Sequence, residues 1–412
     1  MDEIEIIIYL GSDWPTYHRR PMIEALARNT EGFARILCIN QPVVPMTDWK
    51  FNRSRLHRHQ ACPEPERLSR NLYLFTPRLR WHDRLLSLVG KKDVNLFSLA
   101  NQIRTVRERI GAAPDFTVSW LYRPDQHAMV GLASEDFLVY ECLDEFQRRV
   151  SDGKFMPKAA DQEQVILRRA DLVLASSLLL HESRSGQHDN VHYFSNGVDF
   201  DLFAQPRDYE PQELADIRRP IIGYTGNLTV FLDEALLHRI ARSFPDWSLV
   251  LVGPHDEDLD LDGLRGMPNV HFVGRRPHWE LPAFSQAFDV AILPLRKNPY
   301  LEKCNPLSLY EHMAAGTPIV ITDIPEARRV ADAAYVAWSD DDFLSSIRKA
   351  VEDYDCERII RGQTIASERS WDNITQAMTQ TLIHAIEEKI NGEDDCGQQW
   401  DWEPREMEII TR

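Results

Sequence analysis

Short apolar runs recur along the whole chain, and segments with helical spacing of apolar residues separate many of them. Uninterrupted runs of roughly four to eight residues, rich in Val, Ile and Leu, are typical of buried parallel strands. In the first half they predict strands at 4–10, 33–40, 72–76, 116–121, 137–143 and 172–176. In the second half they predict strands at 220–225, 248–252, 270–273, 290–295, 319–322 and 335–338.

Helical spacing is present at 21–28, 99–110, 162–170 and 233–244. Strand patterns that alternate with helical patterns predict an α/β fold with parallel sheets. Because there are two such series, we expect two Rossmann-like domains, each built on a doubly wound sheet. Ligands of such sheets bind beyond the carboxyl ends of the strands, so a site between two facing domains is predicted.

The polar stretch at 204–218 contains prolines and divides the two series, as a linker would. The chain is therefore predicted to have an N-terminal domain at 1–203 and a C-terminal domain at 219–370. A further helical pattern covers 371–391, and residues 392–412 form an acidic, polar tail.

Composition excludes several classes of protein. The 412-residue chain has a net charge of −17, whereas a general nucleic-acid binder needs a basic face. Apolar runs are too short to cross a bilayer, and the acidic N-terminus does not resemble a secretory signal, so a cytoplasmic protein is predicted. The six cysteines lack the spacing of a zinc site. The Asp-x-Asp run at 258–262 is interpreted as a solvated loop, and no metal is expected.

The most informative segment is 303–327, KCNPLSLYEHMAAGTPIVITDIPEA. Its pattern predicts a loop, a helix that begins after Pro306, a turn at Gly316 and a short buried strand. Glu311 interrupts the apolar pattern of this helix. Its carboxylate could accept hydrogen bonds from a ribose diol, and the N–H groups at the helix start could bind a phosphate. The alternative is an ordinary surface glutamate on an amphipathic helix.

The part NPLSLYEHMAAGTPIVITDIPE resembles the donor-binding helix and the next strand of GT-B glycosyltransferases. It is most similar to retaining family 4 and to its relatives that build teichuronic acid and other surface polysaccharides. IIGYTGN, PDWSLVLVGP and NVHFVGR resemble the second domain of that family, VYECLDEF resembles a first-domain strand, and SNGVDFDLF resembles the crossover between domains. The resemblance implies a GT-B fold whose last helix crosses back to the first domain.

Three positions depart from the family pattern. Lys303 stands where many members have a second Glu, and Ser308 stands where relatives often have Lys. Asn227 follows the glycine after which many members carry cations for the pyrophosphate. These departures concern the contacts to the sugar and the phosphates, whereas the resemblance assigns the ribose to Glu311.

The predicted site follows from the resemblance. The donor nucleotide and its phosphates are expected to contact Glu311, Asn305, Pro306, Leu307, Ser308, Gly226, Asn227, Gly274, Arg275 and Arg296. The candidate catalytic residues are Lys303, Glu302 and His127. The loop after the first strand is expected to face the acceptor through Gly11, Trp14, Arg19 and Arg20.

The predicted activity is hexosyl transfer, with retention, from a nucleotide diphosphate sugar to a lipid-linked surface polysaccharide. The nucleotide sugar is a substrate, and no cofactor is expected. Two alternatives remain open: a GT-B nucleotide-sugar epimerase, and a catalytically idle GT-B subunit that binds glycan or a partner enzyme.

Charge is distributed unevenly along the chain. Residues 50–110 contain 14 Lys and Arg against 5 Asp and Glu, while the other residues contain 33 against 59. Within this stretch, residues 78–92 mix cations with Trp and Leu, the composition of an interfacial helix on an anionic membrane. Contact with the inner face of a membrane is therefore predicted. An amphipathic helix packed on its own sheet is the alternative.

Overall fold

A computed structural model describes residues 4–43, 64–79, 93–111 and 114–394. Within these ranges the strands form two sheets. The first contains β1 (Ile4–Tyr9), β2 (Ala34–Ile39), β3 (Glu66–Arg67), β4 (Leu72–Phe75), β5 (Phe116–Leu121), β6 (Phe137–Cys142), β7 (Leu172–Ala175) and β8 (Val191–Tyr193). The second contains β9 (Ile221–Thr225), β10 (Ser248–Val252), β11 (Val270–Gly274), β12 (Val290–Leu293), β13 (Ile319–Thr322) and β14 (Tyr335–Ala337).

The strand orders are β3-β4-β2-β1-β5-β6-β7-β8 and β11-β10-β9-β12-β13-β14. The second sheet is parallel throughout. The first is parallel except at its edge, where β3 pairs antiparallel with β4. The predicted α/β fold with parallel sheets is thus confirmed, except that the antiparallel edge strand β3 was not predicted. Strand β3 is exposed and contains only Glu66 and Arg67, so no apolar run marked it in the sequence.

The described helices surround these sheets. They are α1 (Arg20–Asn29), α2 (Asp93–Ile110), α3 (Pro157–Leu167), α4 (Leu178–Ser185), α5 (Phe200–Ala204), α6 (Glu234–Ser243), α7 (Asp262–Arg265), α8 (Leu281–Ala287), α9 (Leu307–Ala315), α10 (Pro325–Arg328), α11 (Asp340–Glu352), α12 (Cys356–Glu368) and α13 (Trp371–Asp394). The hydrophobic core lies on both faces of the first sheet and on both faces of the second.

The last helix, α13, belongs to the core of the first domain. Its residues Met378, Leu382 and Ile386 are buried together with Met22 and Leu26 of α1. The side chain of Arg28 donates two hydrogen bonds of 2.9 Å to Asp372. The prediction that the final helix crosses back to the first domain is confirmed.

The two chain crossovers between the domains run side by side. Val198 N–H donates to Arg369 O over 2.9 Å, and Trp371 N–H donates to Val198 O over 3.0 Å. A Cβ on Gly197 would lie 2.7 Å from the Trp371 ring, so this close approach needs glycine. The domain boundaries given above stay predictions, although Leu214, inside the expected linker, is buried against Ile221 of the second domain.

Candidate functional site

Helix α9 places the predicted donor residues at the carboxyl edge of the second sheet. It starts after Pro306, whose extended backbone suits the residue before a helix, and it ends at Gly316. Gly316 has a φ of 74°, the left-handed conformation that glycine adopts at low cost. Strand β13 follows directly. The predicted order of loop, helix, turn and strand is confirmed.

A buried histidine fixes α9 against the sheet. His312 Nε2 lies 3.2 Å from Thr225 Oγ1, at the end of β9. Burial lowers the pKa of His312 to about 4, so its imidazole is neutral near pH 7 and shares a hydrogen bond with the threonine hydroxyl. This contact holds α9 over the topological switch point between β9 and β12, where doubly wound sheets bind ligands.

Glu311 lies on the accessible side of α9. Its side chain is 17% exposed, and its Oε1 is 3.2 Å from His278 Nε2. Burial lowers the pKa of His278, but the hydrogen bond to Glu311 and the charges of Glu311 and Asp199 outweigh it, so the pKa is raised. The carboxylate is therefore partly solvated and already binds a hydrogen-bond donor, which is the property that recognition of a ribose diol requires.

The first domain holds the segment that precedes α9. Asn305 is 3% exposed, and its Nδ2 donates to Ser176 O over 2.8 Å and to Ser195 Oγ over 3.1 Å. Asn196 Nδ2 donates to the carbonyl oxygen of Asn305 over 2.6 Å. The Asn305 side chain thus joins the two domains. The start of α9, where free N–H groups point outward, is fixed by contacts with the opposite domain.

Arg19 extends this hydrogen-bonded chain into the first domain. Its NH1 donates to Asn196 Oδ1 over 2.6 Å, and its guanidinium pairs with Glu141 and lies 5.0 Å from the Trp371 ring. Arg19 is 2% exposed and Trp14 is 5% exposed. Both were expected to face an acceptor, but both are buried. Arg19 is enclosed between the two crossovers and Glu141, and Trp14 belongs to the hydrophobic core of the first domain.

The other two acceptor-side candidates remain near the surface. Arg20 pairs with Glu24 over 2.8 Å, with its guanidinium 5.6 Å from the Trp14 ring. The carbonyl of Gly11 accepts a hydrogen bond from Gln41 Nε2 over 2.6 Å. Of the four acceptor candidates on this loop, Gly11 and Arg20 therefore remain accessible.

Lys303 belongs to an ion-pair network that crosses the domain interface. Its Nζ pairs with Glu145, which also lies 3.3 Å from Arg184 NH2. The same Arg184 NH2 is 3.0 Å from Glu163. Burial raises the pKa of Glu145, but Arg184 and Lys303 outweigh it and lower the pKa. The charge of Lys303 is thus paired with a carboxylate of the first domain.

This arrangement matches known proteins at the levels of domain and fold. Residues 219–353 match the family described as glycosyl transferases group 1. A Bacillus subtilis (strain 168) protein, TuaH, described provisionally as a teichuronic acid biosynthesis glycosyltransferase, is 28% identical over 224 residues. That match covers 51% of this chain and 56% of TuaH, so the chain spans little more than half of its curated relative.

Solved structures share the fold over nearly the full length. A sucrose-phosphate synthase from Thermosynechococcus elongatus has a TM-score of 0.71 at 16% identity, covering 93% of this chain and 99% of that one. Anabaena HepE in complex with UDP and glucose has a TM-score of 0.62 at 16% identity, covering 91% and 98%. Residues 219–353 form a group 1 glycosyltransferase domain, and the fold is GT-B.

The remaining donor candidates in this domain lie at the ends of its strands. Gly226 and Gly274 follow β9 and end β11, both with positive φ. Gly253 follows β10, and a Cβ on it would lie 1.8 Å from Gly226 O. The turn after β10 therefore packs its backbone directly against the turn after β9. Asn227 and Arg275 are exposed, and Arg296 Nε donates to Leu232 O over 2.8 Å. All five therefore lie at the same edge as the start of α9.

The other sequence candidates have local partners or are exposed. His127 Nδ1 is 3.1 Å from Pro124 O, within its own turn after β5, and Glu302 is exposed. In the Asp-x-Asp run the three aspartates are exposed and alternate with the buried Leu259 and Leu261, so the carboxylates face solvent as expected. Within the described ranges, no group of three or more His, Cys, Asp and Glu residues could hold a metal ion.

Sequence reasoning missed the partners that the fold brings to α9. His278 lies 33 positions from Glu311, and Asn196 lies 109 positions from Asn305, so no local pattern could pair them. A partial signal existed in VYECLDEF, which contains Glu141, Asp144 and Glu145. Burial raises the pKa of Asp144 to about 7, against a hydrogen bond from Tyr300 that lowers it. The motif therefore contacts the turn before α9, through Asp144 with Tyr300 and Glu145 with Lys303.

Proposed function

We propose that the chain is a glycosyltransferase that moves a sugar from a nucleotide diphosphate donor to a glycan acceptor. The observation that carries the proposal is Glu311, a partly exposed carboxylate on α9, one helix turn from the free N–H groups at the helix start. Such a helix can bind the ribose and the diphosphate of one ligand. Its domain matches a glycosyltransferase family, and this match is the reason to expect that the bound nucleotide carries a sugar.

The chemistry would rest on charge stabilisation at the leaving phosphate. When the bond between the sugar and the phosphate breaks, negative charge grows on the phosphate oxygens, and pre-placed donors lower the barrier. In this chain the N–H groups of Leu307 and Ser308 and the cations of Arg275 and Arg296 are available for that task. Lys303 would join them only if its ion pair with Glu145 opens. Glu311 would hold the ribose and move no proton.

Nucleotide binding gives the first test. Thermal-shift measurements with UDP, GDP, ADP and their sugars should raise the unfolding temperature for one nucleotide family, because a ligand that binds only the folded state stabilises it. An assay of nucleotide release then distinguishes transfer from the alternatives. An epimerase would return an isomerised sugar nucleotide, and an idle subunit would release no nucleotide. Either result would contradict the proposal.

Retention of configuration and a lipid-linked surface polysaccharide as acceptor are finer parts of the same proposal. They rest on the resemblance to retaining family 4 and on the relationship to TuaH. Nuclear magnetic resonance of the product anomer tests retention directly. Inversion would separate this chain from retaining enzymes while leaving the donor site intact.

Contact with an anionic membrane completes the proposal. It rests on the cations of residues 78–92, of which 80–92 lie outside the described residues. No helix in the described ranges is both long and apolar enough to span a bilayer. Co-sedimentation with anionic vesicles should show binding that salt weakens, and neutralising Arg78, Arg80, Arg84, Lys91 and Lys92 should reduce it. Equal binding to anionic and neutral vesicles would argue against membrane contact through the cations of residues 78–92.

A further inference from the structure

The side chain that contacts the Glu311 carboxylate comes from the loop after β11. Pro277 has the extended backbone of a residue before a helix, and the single 3₁₀ turn His278–Glu280 follows it. This turn brings His278 Nε2 to 3.2 Å from Glu311 Oε1. Within the described ranges no other hydrogen bond reaches this carboxylate, so its Oε2 remains open to a ligand.

The His278 ring is itself fixed by its neighbours. The buried Phe203 of α5 meets the imidazole edge to face, with ring centroids 5.4 Å apart. Three elements present charged groups to the ring: α9 through Glu311, the segment before α5 through Asp199, and the start of α1 through Arg20. Burial and Arg20 lower the pKa of His278, but the two carboxylates outweigh them and raise it. The imidazole is therefore a fixed donor that is charged over part of the neutral pH range.

The position of Glu311 on α9 shows why its orientation matters. Glu311 lies one turn after Leu307, the first residue of the helix, and helical side chains lean toward the N-terminus. The carboxylate thus leans toward the N–H groups proposed to bind the diphosphate. A ribose there would present two vicinal hydroxyl groups, each of which needs a carboxylate oxygen. The last torsion of a glutamate side chain is broad, so a partner is needed to fix the carboxylate plane.

We propose that His278 is a positioning residue for the donor, which orients the Glu311 carboxylate toward both ribose hydroxyls and, when protonated, strengthens nucleotide binding. This inference rests on the proposed function, since it acts through the nucleotide site of that function. A protonated imidazole donates a charge-assisted hydrogen bond and reduces the negative charge that an anionic diphosphate meets. Because the folded-state pKa is raised, this gain is present below that pKa and is lost as pH rises through it.

Discrimination between ribose and deoxyribose tests the orientation. Calorimetry at about pH 8.5, where the imidazole is mostly neutral, measures the affinities of UDP, GDP and ADP and of their 2′-deoxy forms. His278→Ala should reduce the preference for the ribonucleotide by about three-fold or more, while His278→Gln, which keeps a donor, should retain most of it. The matched control is His384→Ala, because His384 lies 3.4 Å from Glu388 on α13 and is 72% exposed. This control should bind like wild type.

The pH dependence tests the charge. Wild type should bind the ribonucleotide about three-fold or more tightly than His278→Gln at about pH 6, and the two affinities should converge at about pH 8.5. The ionisation of the diphosphate itself cancels in this ratio, because both proteins bind the same ligand.

Two results would overturn the inference and leave the proposed function standing. One is that His278→Ala weakens the ribonucleotide and its 2′-deoxy form equally or leaves both unchanged, since the histidine would then not act through the ribose. The other is an affinity ratio between wild type and His278→Gln that stays constant with pH. A wild-type chain that binds none of the three nucleotides would instead refute the proposed function, and the inference with it.

Discussion

At the scale of single residues, Glu311 and Glu145 differ in exposure and in the number of cations that hold them. Glu311 pairs with the half-exposed His278 and stays within reach of solvent. Glu145, 3% exposed, is held by Arg184 and Lys303 from opposite domains. A ligand can compete for the first but not readily for the second, since removing one partner of a buried pair leaves a charge uncompensated. Glu311 is therefore the residue on which substrate recognition should depend.

Glu311→Ala should weaken nucleotide binding by about 1.5–3 kcal/mol, the usual worth of a hydrogen bond to a charged group. Titration calorimetry with the nucleotide chosen by thermal shift measures it. Glu357→Ala, which removes a carboxylate 81% exposed on α12, is the control and should bind like wild type. Equal affinity of the Glu311 variant and the control would end the ribose assignment.

His278→Gln should cost stability in a pH-dependent way. Burial and, less strongly, Arg20 lower the folded-state pKa of His278, but Glu311 together with Asp199 outweighs them and raises it above its usual value. A raised pKa gives stability that is fully present below the unfolded-state pKa and is lost as pH rises through the folded-state pKa. Denaturant midpoints should therefore differ between wild type and variant at about pH 5.5 and converge at about pH 8.5. A difference that grows with pH would contradict the pairing.

At the scale of elements, α9 depends on where it starts and stops. Its start is held by Asn196 and Ser176 across the interface, and its end is a left-handed glycine. The helical spacing predicted the element itself, because apolar periodicity and glycine–proline punctuation are local signals. The contacts that fix its first turn come from positions more than 100 residues away. They could not be read from the pattern.

Gly316→Ala should lower the free energy of unfolding by about 1–2 kcal/mol, because the left-handed conformation brings Cβ close to the next carbonyl oxygen. Gly266→Ala is the control. Gly266 also follows a short helix, but its φ is −81°, and nothing lies within 4 Å of an added Cβ. Urea unfolding of both variants measures the difference. Similar effects at the two sites would show that the conformation at Gly316 is not what matters.

At the scale of the whole molecule, two domains are joined by paired crossovers, by the contacts of Asn305, and by Lys303 with Glu145. Lys303 was a candidate catalytic residue from the resemblance, and in the structure it pairs with Glu145. The network is therefore also a link that any opening of the domains must break.

Lys303→Ala and Glu145→Gln should be coupled. Each variant removes the same interdomain pair, so the double variant should be less destabilised than the two single effects added together, with a coupling energy of about 0.5–3 kcal/mol. Thermal and urea unfolding of the wild type, both single variants and the double variant measure the cycle. Strict additivity would show that the pair contributes nothing to the join between the domains.

Sequence alone determined the parallel sheets, the two series of strands and the helix that carries Glu311, because these follow from short-range apolar patterns and turn residues. It also placed Gly226, Gly274 and Arg296 at strand ends, and the structure collects them at one edge. Tertiary structure alone decided which charged groups are free. Arg19 was expected to face an acceptor and proved to be buried against Glu141, and Lys303 proved to be paired with Glu145. The physical reason is that burial and ion pairing depend on partners far away in the chain. Arg19 meets Glu141 only when the first domain folds, and Lys303 meets Glu145 only when the two domains pack together.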